Sequence, residues 1–291
     1  MHIWFRSQSA MEYLMTYGWA ILIIAVVLGI LFQLGVFSGG NFAPKAQAGT
    51  CQVERTAAGT TLAGQCGGTP PEYVAQFYDG NSLQASSTFN NPGGESISFW
   101  FYVPSTSQQT GLVSFGNYYP GDSWGAMLGG TNPTCSSNSI LAMIDDSGDA
   151  TVCTTTMVES GMWNNLVFAT PDNGQPTLVY LNGVQVFSFY GGILSRASWN
   201  MYIGSTPIGL SDLNGGYITN IQVYNATLSS GEVQALNAEG IGGAPIRPTN
   251  LTGWWPLNGN ANDYSGKGNN VVSGCSCSSG ARWVADYPSP T

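Results

Sequence analysis

From Tyr13 to Val36 the chain reads YLMTYGWAILIIAVVLGILFQLGV, an apolar run without a charged side chain. Thr16, Gln33 and the tyrosine hydroxyls are its main polar groups. At helical rise such a run extends roughly 36 Å, enough to cross a bilayer with some tilt. Lipid offers the backbone no hydrogen-bond partners, so a crossing segment must be a helix that closes its own bonds. The run therefore predicts a membrane helix with the rest of the chain on one side. Arg6 is the only Lys or Arg before it, so the positive-inside rule predicts a cytoplasmic N-terminus and an extracellular head. Tyr13, Tyr17 and Trp19 stand near the inner end, as interfacial aromatics do.

An ordinary cleaved signal peptide has a shorter apolar core, followed by small residues at its cleavage site. Here the run is longer and the small residues precede it. Residues Arg6-Ser7-Gln8-Ser9-Ala10-Met11-Glu12-Tyr13 resemble the processing site of archaeal class III signal peptides, the type IV prepilin family. The resemblance implies a cut by a prepilin-type peptidase after Ser7, although glycine or alanine is commoner there. Gln8 then becomes the N-terminus and Glu12 the fifth residue. In that family the glutamate neutralises the N-terminal amine of a neighbouring subunit, and a carboxylate at the membrane edge is costly unless paired. The implied partners are the membrane, the peptidase and like subunits in a filament. The alternative is a plain anchor whose Glu12 sits among headgroups.

Residues 37–49, FSGGNFAPKAQAG, are small and unpatterned and read as a linker. The expected organisation is a leader at 1–7, a transmembrane helix at 8–36, that linker, and a head at 50–291. Charged residues are only 8% of the 291, with 39 glycines and 15 prolines, which suits a loop-rich all-β head. The net charge of -9 argues against nucleic acid, which needs clustered Lys and Arg. His2 is the only histidine, which excludes Ser-His-Asp and Cys-His chemistry and His-ligated zinc from the head. The six cysteines, Cys51, Cys66, Cys135, Cys153, Cys275 and Cys277, read as disulfides in an exported chain. The near pairs, Cys51 with Cys66 and Cys135 with Cys153, are expected. Cys275 and Cys277 flank one serine, a strained spacing for a mutual bridge.

Strand patterns recur through the head. Ser96 to Val103 puts Ile97, Phe99, Phe101 and Val103 on one face. Others fall at 73–77, 112–115, 139–144, 151–155, 163–169, 177–181, 185–189, 200–203 and 217–224. Asn182-Gly183 between two of them is a hairpin signal. Ser229 followed by Glu232 predicts a capped short helix. The expected fold class is mainly β: a transmembrane α-helix plus an antiparallel β-sandwich or jelly roll. The runs YVAQFYDG (73–80), SISFW (96–100), WNNLVF (163–168), VYLNG (179–183) and GYITNIQVYN (216–225) resemble, in that order, the laminin-G-like, concanavalin A-like lectin family. The resemblance covers a core at about 71–240. Residues 253–266, GWWPLNGNANDYSG, are similar to the family's opening strand, yet stand last. Three readings follow: a circular permutation in which 251–291 completes the sandwich, donation of the strand to a neighbouring subunit, or a truncated second domain.

Candidate sites are few. Asp145, Asp146 and Asp149 gather carboxylates in one loop and suit calcium, or simply a polar turn. Tyr118, Tyr119 and Trp124 in an expected loop could stack on sugars or pack over a sheet edge. Asn225 and Asn250 begin glycosylation sequons. The paired-carboxylate strand motif of glycosidases on this fold is missing, so no enzyme is expected. The function expected is adhesion, with a lectin-like head that binds glycan or another surface protein. The alternatives are a purely structural filament or envelope subunit and, third, a glycoside hydrolase.

Overall fold

Strands with one apolar face must bury it against another, and the head does so with two antiparallel sheets. The computed structural model describes residues 10–33, 70–78, 81–86, 94–105, 109–116, 123–129, 136, 139–145, 150–171, 174–190, 200–205, 213–271 and 280–290. The chain divides into two units, one carrying the N-terminal helix and the other the strands. In the first, α1 is a continuous helix over Ala10–Gln33. Its side chains are described from residue 17 to residue 28, and all of these are exposed and uncharged. That window is shorter than a span, and among the described residues no helix is long and apolar enough to cross a membrane.

In chain order the strands are β1 (Val74–Gln76), β2 (Leu83–Ser86), β3 (Glu95–Tyr102), β4 (Thr110–Gly116), β5 (Ser123–Leu128), β6 (Ser139–Asp145) and β7 (Ala150–Met157). Then follow β8 (Trp163–Thr170), β9 (Thr177–Leu181), β10 (Val184–Phe189), β11 (Asn200–Ile203), β12 (Tyr217–Tyr224), β13 (Leu251–Trp255) and β14 (Arg282–Val284). The helix α2 (Ser230–Glu239) separates β12 from β13. The first sheet runs β10-β9-β8-β3-β12-β1-β14, with β13 also paired to β12. The second runs β2-β11-β4-β5-β6-β7. Between them lies the main core, where Ile97, Phe99, Phe101 and Val103 point inward with Leu166, Phe168, Phe115 and Trp255. This is the face that the alternation in β3 predicts.

Trp124 corrects an expectation. It lies in β5, is 1% exposed and packs edge-on against Phe168 at 4.8 Å. It is a core ring between the sheets, and no sugar can stack on it. The expected loop had hidden a strand, because Gly125 and Ala126 weaken the alternation of β5. The short strands β2 and β14 carry as little pattern and were also not anticipated.

The C-terminal segment folds back on its own chain. β13 pairs with the second half of β12, matching Ile221 with Trp255 and Gln222 with Trp254. β1 pairs with the first half, matching Gln76 with Tyr217. One edge of β12 thus serves two strands, and a register shift between Thr219 and Gln222 marks the handover. There Asn220 takes a left-handed φ of 50°, which asparagine tolerates better than most residues. Its side chain donates to the Gly243 carbonyl at 2.8 Å and accepts from Trp254 Nε1 at 2.9 Å.

Candidate functional site

The outer face of the first sheet is divided. Toward one end, Tyr224, Leu228, Val233, Leu236, Ile246 and Leu251 form a second apolar cluster in which α2 packs on the sheet. Toward the other, Val74, Trp100, Trp163 and Ile241 form a third, bordered by the half-buried Tyr102, Tyr217 and Tyr287. This end holds the candidate site.

Register builds it. Trp163 on β8 is opposite Tyr102 on β3, and Tyr102 is opposite Tyr217 on β12. Tyr217 is opposite Gln76 on β1, and Gln76 is opposite Arg282 on β14. Directly paired residues point to the same face. Five side chains therefore form one continuous row across five strands, about 19 Å long at ordinary strand spacing. The rings touch: Tyr102 and Tyr217 meet edge-on at 5.6 Å, and Tyr102 and Trp163 are tilted against each other at 5.9 Å. Burial falls along the row, from Trp163 at 6% exposure through half-buried tyrosines to exposed Arg282. Trp163 is tied down because its Nε1 donates to the Pro288 carbonyl at 2.7 Å and Tyr287 packs edge-on against it. The Tyr287 hydroxyl in turn donates to the Pro71 carbonyl.

Above the row stands Tyr78, 38% exposed. Its hydroxyl donates to Gln76 Oε1 at 2.7 Å, and Gln76 Nε2 donates to the Tyr217 oxygen at 3.0 Å. That chain leaves the Tyr217 hydroxyl hydrogen available to a partner. Burial, then the neighbouring Tyr78 and Tyr102, push the Tyr217 pKa above its ordinary value, so it stays protonated. Arg282 and Asp286 act on it in opposite senses. Aromatic faces beside amide and hydroxyl groups can stack on the C–H face of a sugar ring while bonding its hydroxyls.

The sequence-expected site residues fall elsewhere. Tyr118, Tyr119, Asp146, Asp149, Arg6, Ser7, Gln8 and the cysteines other than Cys153 lie outside the described residues. Cys153 is disulfide-bonded, and its partner also lies outside them. Asp145 ends β6 and Glu12 lies in α1, each described in its backbone only. Among the described residues no group of three or more metal-ligating side chains comes together. Asn225 is exposed and Asn250 half-buried, and the Asn250 amide donates to Asn225 Oδ1 at 3.0 Å. The row itself was missed, although the β3 alternation held a signal. Once the odd-numbered side of that strand faces the core, Trp100 and Tyr102 must face out.

Two antiparallel sheets in this order, with an aromatic and amide row on an outer face, define a lectin-like jelly roll. Residues 76–234 match the concanavalin A-like lectin/glucanases superfamily in its Laminin_G_3 form, and the chain belongs to this family. No curated protein matches it. Among solved structures it is similar to a Bacteroides ovatus protein in which carbohydrate binding is inferred, at 12% identity and a TM-score of 0.53. That match covers 76% of this chain and 62% of the other, so the chain spans less than two thirds of that relative. The CBM40 module of the Ruminococcus gnavus IT-sialidase, bound to α2,3-sialyllactose, aligns at 13% identity and a TM-score of 0.44, over 58% of this chain and all of that one. The enzymatically active domain of the bacteriophage CBA120 tailspike protein 2 aligns at 14% identity and 0.48, over 66% and 32%. At these identities the likeness is one of fold.

Proposed function

We propose that this chain is a membrane-tethered surface protein whose head binds a glycan on the row Trp163–Tyr102–Tyr217–Gln76–Arg282. The row carries the reading: its rings are aligned, partly open and in contact with one another, and its amide bonds the Tyr217 hydroxyl. Membership in a lectin and glucanase family supports it. Binding without hydrolysis is favoured because the buried described carboxylates of the outer layer have structural work. Glu232 caps α2 and pairs with Arg247, and Glu239 is packed under the loop after α2. The tether is α1, whose described side chains are apolar and exposed on every side, the pattern of a helix meant for lipid. Prepilin-type processing at Ser7, with Glu12 inside the mature helix, belongs to the same proposal. Several heads on one filament would raise avidity even for weak sites.

The test is a glycan array with the full chain, its Tyr78→Ala variant and its Tyr217→Ala variant. Loss of one stacking or bonding ring should weaken binding on the order of tenfold. Tyr78 is the more exposed, so its variant keeps the fold. No bound glycan, or unchanged binding in both variants, would sink the proposal.

A further inference from the structure

We infer that the row selects a sugar chain bearing a carboxylate, with Arg282 as the selecting residue; this rests on the glycan-binding reading above. Arg282 is exposed on β14 and closes the row beside Gln76. It makes no ion pair with any described residue, whereas the half-buried Arg247 is held by Glu232 at 2.5 Å. The chain has 7 Lys and Arg against 16 Asp and Glu. A guanidinium left without a carboxylate among so many acids keeps its fork free for an outside anion. That fork matches the two oxygens of a carboxylate in one plane. A carboxylate seated there places its sugar ring one strand inward, over Gln76 and the Tyr217 hydroxyl, whose hydrogen is available to it. The following rings then lie along Tyr217 and Tyr102. A neutral glycan gains the stacking but leaves Arg282 unused.

Asp286 sharpens the prediction. It is exposed and its charge reaches Tyr217, so it opposes an anion bound there. Removing it should help an acidic ligand and leave a neutral one unchanged. No merely structural role of this residue gives that pattern.

The experiment uses the full chain in a detergent without a sugar headgroup. Its probes are uronic acid oligosaccharides, each paired with its own methyl ester, so that backbone and linkage are shared and only the charge differs. Titration calorimetry at low and high salt reads the difference. At least one free acid should bind about fivefold to tenfold more tightly than its ester, less so at high salt, as suits an exposed pair. Arg282→Gln should remove that advantage, so that acid and ester bind the variant equally. Asp286→Asn should tighten the acid about twofold. Acid and ester bound equally tightly by the native chain would overturn the role of Arg282 while the glycan-binding reading stands. No binding of any member of either set, with none on the array, would overturn both.

Discussion

Glu239 shows how one residue can carry an environment that its position in the sequence does not announce. It is 7% exposed, its Oε2 has no hydrogen-bond partner among the described residues, and burial raises its pKa from 4.5 to about 7 against the opposing bond from the Ala244 N–H. Tyr224 and Glu232 face the same region, with Arg247 beyond. A carboxyl whose folded pKa is raised holds its proton more tightly in the native state. Its stabilising contribution is therefore complete below about pH 4.5 and is lost as pH rises through about 7. Glu232 has the opposite sign. Burial would raise it, but bonds from the Ser229 backbone and side chain and from Arg247 outweigh burial and hold it below the ordinary range. Its contribution is present above the ordinary value and lost as pH falls. Urea unfolding should then show Glu239→Gln more stable than the native chain at pH 8, by about 1–2 kcal/mol, and little different at pH 5. Equal effects at both values would mean that Glu239 titrates normally.

Elements show where local chemistry suffices. The α2 start reads as a complete signal: the Ser229 hydroxyl accepts from the Glu232 N–H, and the Ser229 N–H donates to Glu232 Oε2 at 2.9 Å. Leu228 before the cap and Val233 inside the helix share one apolar cluster, a hydrophobic staple. Ser229→Ala should cost about 1 kcal/mol in the same unfolding assay; no change would mean that Arg247 alone anchors this end. The β9–β10 hairpin is legible for a similar reason. Asn182 and Gly183 both take positive φ, 50° and 78°, as a tight hairpin with right-handed twist requires. By contrast β14 has three residues and no local pattern, and only its pairing with β1 makes it a strand.

At the scale of the molecule, the head depends on its far C-terminal segment. Trp255 is fully buried in the main core, pairs with Ile221 through β13, and donates from Nε1 to the Asn269 carbonyl at 2.9 Å. Asp263 stabilises the loop that follows β13, accepting from the N–H groups of Trp254, Ser265 and Asn269. Trp255→Ala should cost about 3–5 kcal/mol, read as a lower denaturation midpoint of the full chain. A cost below about 1 kcal/mol would mean that β13 is dispensable. The arrangement supports, as a proposal, a permuted order in which the family's opening strand comes last.

Sequence by itself determined the things that depend on near neighbours. The uncharged run from Tyr13 pointed to a helix, described over Ala10–Gln33, period-two alternation gave most strands and the inward face of β3, and Ser229 with Glu232 gave the capped α2. It misplaced Trp124, because a ring followed by Gly and Ala looks like a loop until two sheets close around it. The candidate site was beyond its reach for a physical reason. Gln76, Tyr102, Trp163, Tyr217 and Arg282 are far apart along the chain, and each looks like an ordinary polar or half-apolar strand residue. Alternation tells which way each one faces, but not which residue on another strand lies opposite it. Cross-strand register is set by the closed pairing of all the strands at once, including the bulge at Asn220, and only that tertiary pairing brings the five side chains into one row.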